Sequence, residues 1–125
     1  MSGYSFDANI LIDALLGRPP AHRELERAAE SGGAWMSRMA WIEVMSKGRA
    51  SELREMEEFL SSLFMDDIDE EIASRAAALR RDRPKLRSPD AIIFATAQVR
   101  GRILVTRNIR DFPANMPGIR VPYTL

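Results

Sequence analysis

The 125-residue chain is 46% hydrophobic and 29% charged, the balance of a globular protein rather than a disordered or fibrous one. Its 18 basic and 18 acidic side chains cancel, which excludes a protein that coats nucleic acid by bulk positive charge but leaves room for a local basic patch. With no cysteine, there is no disulfide framework, no thiolate metal site and no cysteine nucleophile.

The start of the chain lacks the basic region and apolar core of a signal peptide, and no apolar run approaches the ~20 residues of a membrane span. One cytoplasmic domain over residues 1–125, without membrane contact, is expected.

In chain order, Tyr4-Ser5-Phe6-Asp7 reads as a short buried strand running into a helix over 8–16. Gly17-Arg18-Pro19-Pro20 ends that helix, and an Ala-, Glu- and Arg-rich helix over 20–30 follows. Ala34-Trp35-Met36-Ser37 is a second strand, and Ser37 is placed to cap a helix over 38–47. Leu53, Met56, Phe59, Leu60, Leu63 and Phe64 recur at helical spacing, predicting an amphipathic helix over 51–64. A brief third strand is expected at 64–66 and a helix over 69–82.

Ser88-Pro89-Asp90 offers an N-cap, a proline at the first helical position and an acid in the first turn, opening an apolar helix over 89–100. A β-branched strand at 102–106, a turn at 108–112 and a last strand at 119–121 complete the chain. Strands alternating with helices imply a mostly parallel sheet covered on both faces.

Four acids stand at the edges of apolar segments. Asp7 ends the first strand, Glu43 interrupts Met39–Met45, Asp90 opens the most apolar helix and Asp111 follows the Ile103–Val105 strand. Each has a local explanation: Asp7 as a helix cap, Glu43 paired with Lys47, Asp90 complementing a helix dipole, Asp111 in an Asx-turn. Together they mean more, because residues following different parallel strands converge on one sheet edge, where ligands bind. Carboxylates gathered there repel one another unless a cation intervenes. An all-oxygen donor set favours a hard divalent ion, Mg²⁺ or Mn²⁺, of the kind that activates water and stabilises a phosphodiester under attack.

The blocks Phe6-Asp7-Ala8-Asn9-Ile10-Leu11-Ile12, Ser37 to Glu43, Ser88-Pro89-Asp90-Ala91-Ile92-Ile93-Phe94-Ala95-Thr96-Ala97 and Val105-Thr106-Arg107-Asn108-Ile109-Arg110-Asp111-Phe112 resemble those of PIN-domain proteins, of the small kind typical of ribonuclease toxins in VapBC toxin–antitoxin pairs. The resemblance implies a three-layer αβα sandwich with sheet order 3-2-1-4-5. It implies Asp7, Glu43 and Asp90 as catalytic, metal-holding acids and Asp111 as the fourth, although some relatives place an acid where Asn108 stands. Asn9 and Thr106 match residues that support the acids. It also implies Mg²⁺- or Mn²⁺-dependent cleavage of RNA, a cognate antitoxin and a homodimer.

Arg38, Arg87, Arg107 and Arg110 lie near the motif blocks and are candidates to contact phosphates. Asp13, further along the first helix, is placed off the site, with a supporting role as the lesser alternative, and His22 on the surface. The alternative is a PIN-like module that binds RNA or protein without turnover. A haloacid-dehalogenase-like phosphatase would need an acid where Asn9 stands, and a receiver module an acidic pair near the start and a late lysine.

Overall fold

The computed structural model describes residues 3–113 and 115–124. Its strands are β1 (Tyr4–Phe6), β2 (Ala34–Ser37), β3 (Phe64–Asp66), β4 (Ile103–Val105) and β5 (Ile119–Arg120). They form one sheet in the order β3-β2-β1-β4-β5, and every neighbouring pair is parallel. The helices are α1 (Ala8–Leu15), α2 (Pro19–Ala29), α3 (Arg38–Ser46), α4 (Leu53–Leu60), α5 (Glu70–Asp82) and α6 (Ser88–Arg100). Right-handed crossovers put the connections to β2 and β3 on one face of the sheet and the connection to β4 on the other. This is the expected αβα arrangement and strand order.

The short central strands are apolar because both faces are covered. Phe6, Leu104 and Val105 are fully buried, together with Ile10 and Leu11 of α1, Val44 of α3 and Ile93 of α6. α5 and α6 pack on each other along their length. Gly101 ends α6 at φ 68, ψ 33, a left-handed conformation that glycine adopts without a Cβ penalty.

Element boundaries differ from expectation mainly between residues 50 and 64. A 3-10 turn (Ala50–Glu52) precedes α4, and α4 stops at Leu60 rather than at residue 64. There the hydroxyls of Ser61 and Ser62 donate to the carbonyls of Glu58 and Phe59, satisfying groups that a longer helix would have used. Phe64 then joins β3, where it stacks on Trp35 at a centroid distance of 4.7 Å and remains 59% exposed. Ser88 is also not the cap of α6: Arg87 occupies that position without a side-chain cap bond, and Ser88 is the first helical residue.

The order of strands matters most at the centre. The chain leaves β1 towards β2 on one side, while β4 flanks β1 on the other. Their carboxyl ends therefore form a topological switch point, where open α/β sheets leave a crevice. The backbone N–H of Asp7 donates to the Val105 carbonyl at 2.9 Å and anchors Asp7 at this point.

Candidate active site

Asp7 caps α1: its Oδ1 accepts the Ala8 N–H at 2.7 Å. Its Oδ2 accepts the Thr106 hydroxyl at 2.7 Å and a longer contact of 3.4 Å from the Asn9 side-chain amide. The helix-cap reading of Asp7 thus holds alongside the convergence reading, since one carboxylate does both.

Thr106, just past β4, is fully buried. Its oxygen accepts the Asn108 N–H at 3.0 Å and the Asn9 Nδ2–H at 3.4 Å. A hydroxyl has one proton and two acceptor positions. Both acceptor positions are used here, so the proton is directed onto Asp7.

Glu43 is placed by α3, and α3 is fixed at its start by Ser37. The Ser37 hydroxyl oxygen accepts the Met39 N–H at 3.1 Å, and its proton faces the Thr96 oxygen at 3.2 Å, because the single Thr96 proton is donated to the Ile92 carbonyl at 2.7 Å. Thr96 belongs to α6, the helix that carries Asp90, so this buried pair sets the two acid-bearing helices relative to each other. The Thr96 side chain was not singled out in the sequence, although a lone polar residue inside Ala95-Thr96-Ala97 is the available signal.

Asp90 is buried in the first turn of α6, with Arg87 Nε 3.4 Å from its Oδ2. The three acids share one pocket of about 190 Å³, lined also by Ala8, Asn9, Ile12, Lys47, Arg87 and Asn108.

Burial and mutual repulsion dominate the electrostatics. Burial raises the Asp7 carboxyl from 3.8 to about 6; the Thr106 and Ala8 hydrogen bonds oppose it, and the charges of Asp90 and Glu43 add to it. Glu43 is raised by burial and then by Asp90. Asp90 is raised by burial, opposed by Arg87, and pushed up further by Asp111.

The pocket thus gathers negative charge that its own cations offset only in part. Among the described residues, no three Asp, Glu, His or Cys side chains are already drawn close enough to hold a metal ion. The fit to a hard divalent cation is one of chemistry: oxygen donors only, partly desolvated, and destabilised by one another in a pocket where Arg87 and Lys47 offset their charge only in part.

A model of the PIN domain family matches residues 4–114 of this chain. The chain belongs to the PIN-domain family. Ribonuclease VapC19 of Mycobacterium tuberculosis is 34% identical to it over 122 residues, covering 94% of this chain and 97% of the relative. Among solved structures, a toxin–antitoxin complex from Klebsiella pneumoniae contains a chain that is 40% identical, with a TM-score of 0.86 and coverage of 98% of this chain and 99% of that one. A DNA-bound VapBC from Salmonella typhimurium matches at 25% identity, a TM-score of 0.76 and 96% coverage of both chains.

Within this PIN domain the remaining expected residues separate. Asn9, Asn108 and Arg87 line the acid pocket. Asp111 does not: it borders a neighbouring cavity with Arg83, Pro84, Lys85 and Leu86, and its carboxylate accepts the Asn108 side-chain amide at 3.0 Å. The Asx interaction in this turn comes from Asn108, whose Oδ1 accepts the Asp111 N–H at 3.2 Å. Asp111 therefore reaches the site through Asn108 and through its charge on Asp90.

Arg38 pairs with Asp67 at 2.8 Å and lies over the Trp41 ring, outside the pocket lining. Arg110 is exposed on the turn after β4. Arg107 departs furthest from expectation: its guanidinium forms a fork with buried Asp13, at 2.7 and 3.1 Å, rather than an open phosphate contact. Lys47, which lines the pocket, was considered in the sequence only as a partner of Glu43. Its charge does lower the Glu43 carboxyl, as a smaller influence than Asp90. His22 is exposed, as expected.

Proposed function

We propose that this PIN domain is a metal-dependent endoribonuclease, the toxin of a type II toxin–antitoxin pair acting in the cytoplasm, with Asp7, Glu43 and Asp90 holding Mg²⁺ or Mn²⁺. The observation that carries the reading is the convergence of three buried or half-buried acids, from three separate segments, on one pocket at the β1–β4 switch point. A bound hard divalent ion would supply water activation and stabilisation of charge developing on a phosphodiester.

The rest is done by side chains of this chain. Thr106 and the Ala8 N–H hold Asp7 in one orientation, so that its carboxylate is presented without further ordering. Arg87 and Lys47 border the acids and supply positive charge where an RNA phosphate would approach. Asn108, backed by Asp111, closes one side of the pocket. Arg110, exposed beside it, is the remaining candidate for backbone contact along the strand.

The antitoxin reading is supported by the toxin–antitoxin relatives and by a surface next to the acids. Ile12, Leu15, Leu16, Val44 and Met56 line an apolar groove of about 190 Å³ that shares Ile12 and Lys47 with the acid pocket. Leu16 is 67% exposed there, as suits a face covered by a partner helix. A partner seated in that groove would lie across the mouth of the site. A homodimer remains part of the proposal.

The test is cleavage of RNA by the purified protein with Mn²⁺, compared with Asp90→Asn. Loss of a metal-holding acid should lower the rate by on the order of a hundredfold, at or above what removal of a supporting group costs. Equal cleavage by the two proteins would remove the metal reading. RNA binding without cleavage by the wild type would instead favour a binding module.

A further inference from the structure

We infer that Asp13, Arg107 and Tyr123 form a clasp that positions the acid site from behind, Asp13 and Tyr123 being positioning residues; this rests on the metal-dependent reading above. Asp13 is a buried carboxylate, 1% exposed, on α1 and outside the acid pocket lining. Arg107 holds it with two hydrogen bonds, the Tyr123 hydroxyl donates to its Oδ2 at 2.8 Å, and Arg18 stands 3.6 Å away. Although burial pushes the Asp13 carboxyl up, the bonds from Arg107 and Tyr123 outweigh it and keep the group below the ordinary range.

Three distant segments meet at this one carboxylate: α1, the turn after β4, and the final coil that carries Tyr123. A fully partnered ion pair in so buried a place fixes its members firmly, because any movement leaves an unpaired charge out of water.

The same turn orients Asp7. The Arg107 backbone N–H donates to Asn9 Oδ1 at 3.4 Å, which fixes the direction of the Asn9 amide. The Asn9 amide group in turn contacts both Thr106 and Asp7. Residues 106 to 108 therefore lie between two carboxylates, Asp7 at the cap of α1 and Asp13 within it. Asp13 grips the turn through the Arg107 side chain, and Asp7 receives the Thr106 hydroxyl that the turn directs. Releasing Asp13 or Tyr123 would let the turn shift and would loosen Asp7 without touching the pocket. Groups behind metal-holding residues commonly have this role.

The experiment compares Tyr123→Phe and Asp13→Asn with wild type and with Glu24→Gln. The last breaks an ion pair to Arg120 between α2 and β5 and serves as a stability control away from the acids. Mn²⁺ affinity of the folded protein is measured by titration with the metal alone, and amide exchange is followed at Asn108, whose N–H is held by Thr106.

We expect Asp13→Asn to weaken Mn²⁺ binding about tenfold and Tyr123→Phe by a few fold, with faster Asn108 exchange in both. In RNA cleavage, kcat should fall while KM stays. Glu24→Gln should lower Tm and change neither readout. Wild-type Mn²⁺ affinity and Asn108 exchange in both clasp variants would overturn the clasp. Should the wild type itself bind no Mn²⁺ and cleave no RNA, the functional reading falls, and Asn108 exchange still decides whether the clasp holds the turn. Because Tyr123→Phe removes one oxygen from a half-buried ring, that variant keeps the fold and keeps the test decisive.

Discussion

Burial moves the Asp7 carboxyl from 3.8 to about 6 in the metal-free protein. An acid whose folded value lies above its unfolded value weakens the fold as it ionises. Below about 4 both states hold the proton and nothing is lost. Between about 4 and 6 the unfolded chain releases its proton first, so stability falls as pH rises; above that window the loss is constant. The difference corresponds to up to about 3 kcal/mol. Metal-free Asp7→Asn should therefore be more stable than wild type at pH 7, with the gap closing near pH 4, as read by urea melts at both values. A gap of equal size at both pH values would show that Asp7 is not held in this way. Glu43 and Asp90 are shifted in the same direction, so saturating Mn²⁺ should raise Tm of the wild type, since a ligand of the folded state stabilises it by mass action. These residues were legible because acids embedded in apolar runs are costly and so call for an explanation.

Among the segments, the turn after β4 bears most on the site, since Thr106, Arg107, Asn108 and Asp111 all lie on it. Phe112 fastens its far end: it is fully buried and meets Phe94 of α6 edge-on at 5.4 Å. Arg83 holds the same end from α5's side, donating to the Asp111 carbonyl at 2.6 Å. Phe112→Ala should destabilise the fold by about 3–4 kcal/mol and reduce Mn²⁺ affinity with it, because the cavity frees the segment that orients Asn108. A chemical melt and a metal titration check both effects. The existence of each helix and strand was readable from periodicity and from Gly and Pro punctuation. The end of α4 was not: Leu63 and Phe64 continue a helical spacing, yet the parallel pairing of β3 with β2 takes this stretch instead. Competition between a local pattern and a distant partner strand is invisible in a window of a dozen residues.

Across the whole sheet, one ion pair links distant parts of the chain. Arg102, at the entry to β4, forms a fork with Asp66, at the exit of β3, at 2.7 and 2.9 Å, and its guanidinium lies 3.4 Å over the Trp35 ring. Both side chains are nearly dry, at 9% and 6% exposure. Arg102→Met should cost about 3 kcal/mol by leaving Asp66 buried and unpaired, whereas adding Asp66→Leu should recover most of that loss. A double-mutant cycle of unfolding free energies measures the coupling.

At this scale the sequence by itself determined the αβα class, the strand order through its family resemblance, and the identity of the acids that line the pocket. Those features are written in alternating segments and in polar residues placed where apolar ones would be cheaper. Only the tertiary structure decided that Asn108 faces the pocket while Asp111 stands behind it. It also decided that Arg107 turns from a candidate phosphate ligand into the partner of Asp13. The second choice depends on contacts spanning most of the chain, with Arg107 meeting Asp13 94 positions earlier and Tyr123 meeting it 110 positions earlier. A long charged side chain has many rotamers, and what selects one is the buried partner that packing brings within reach.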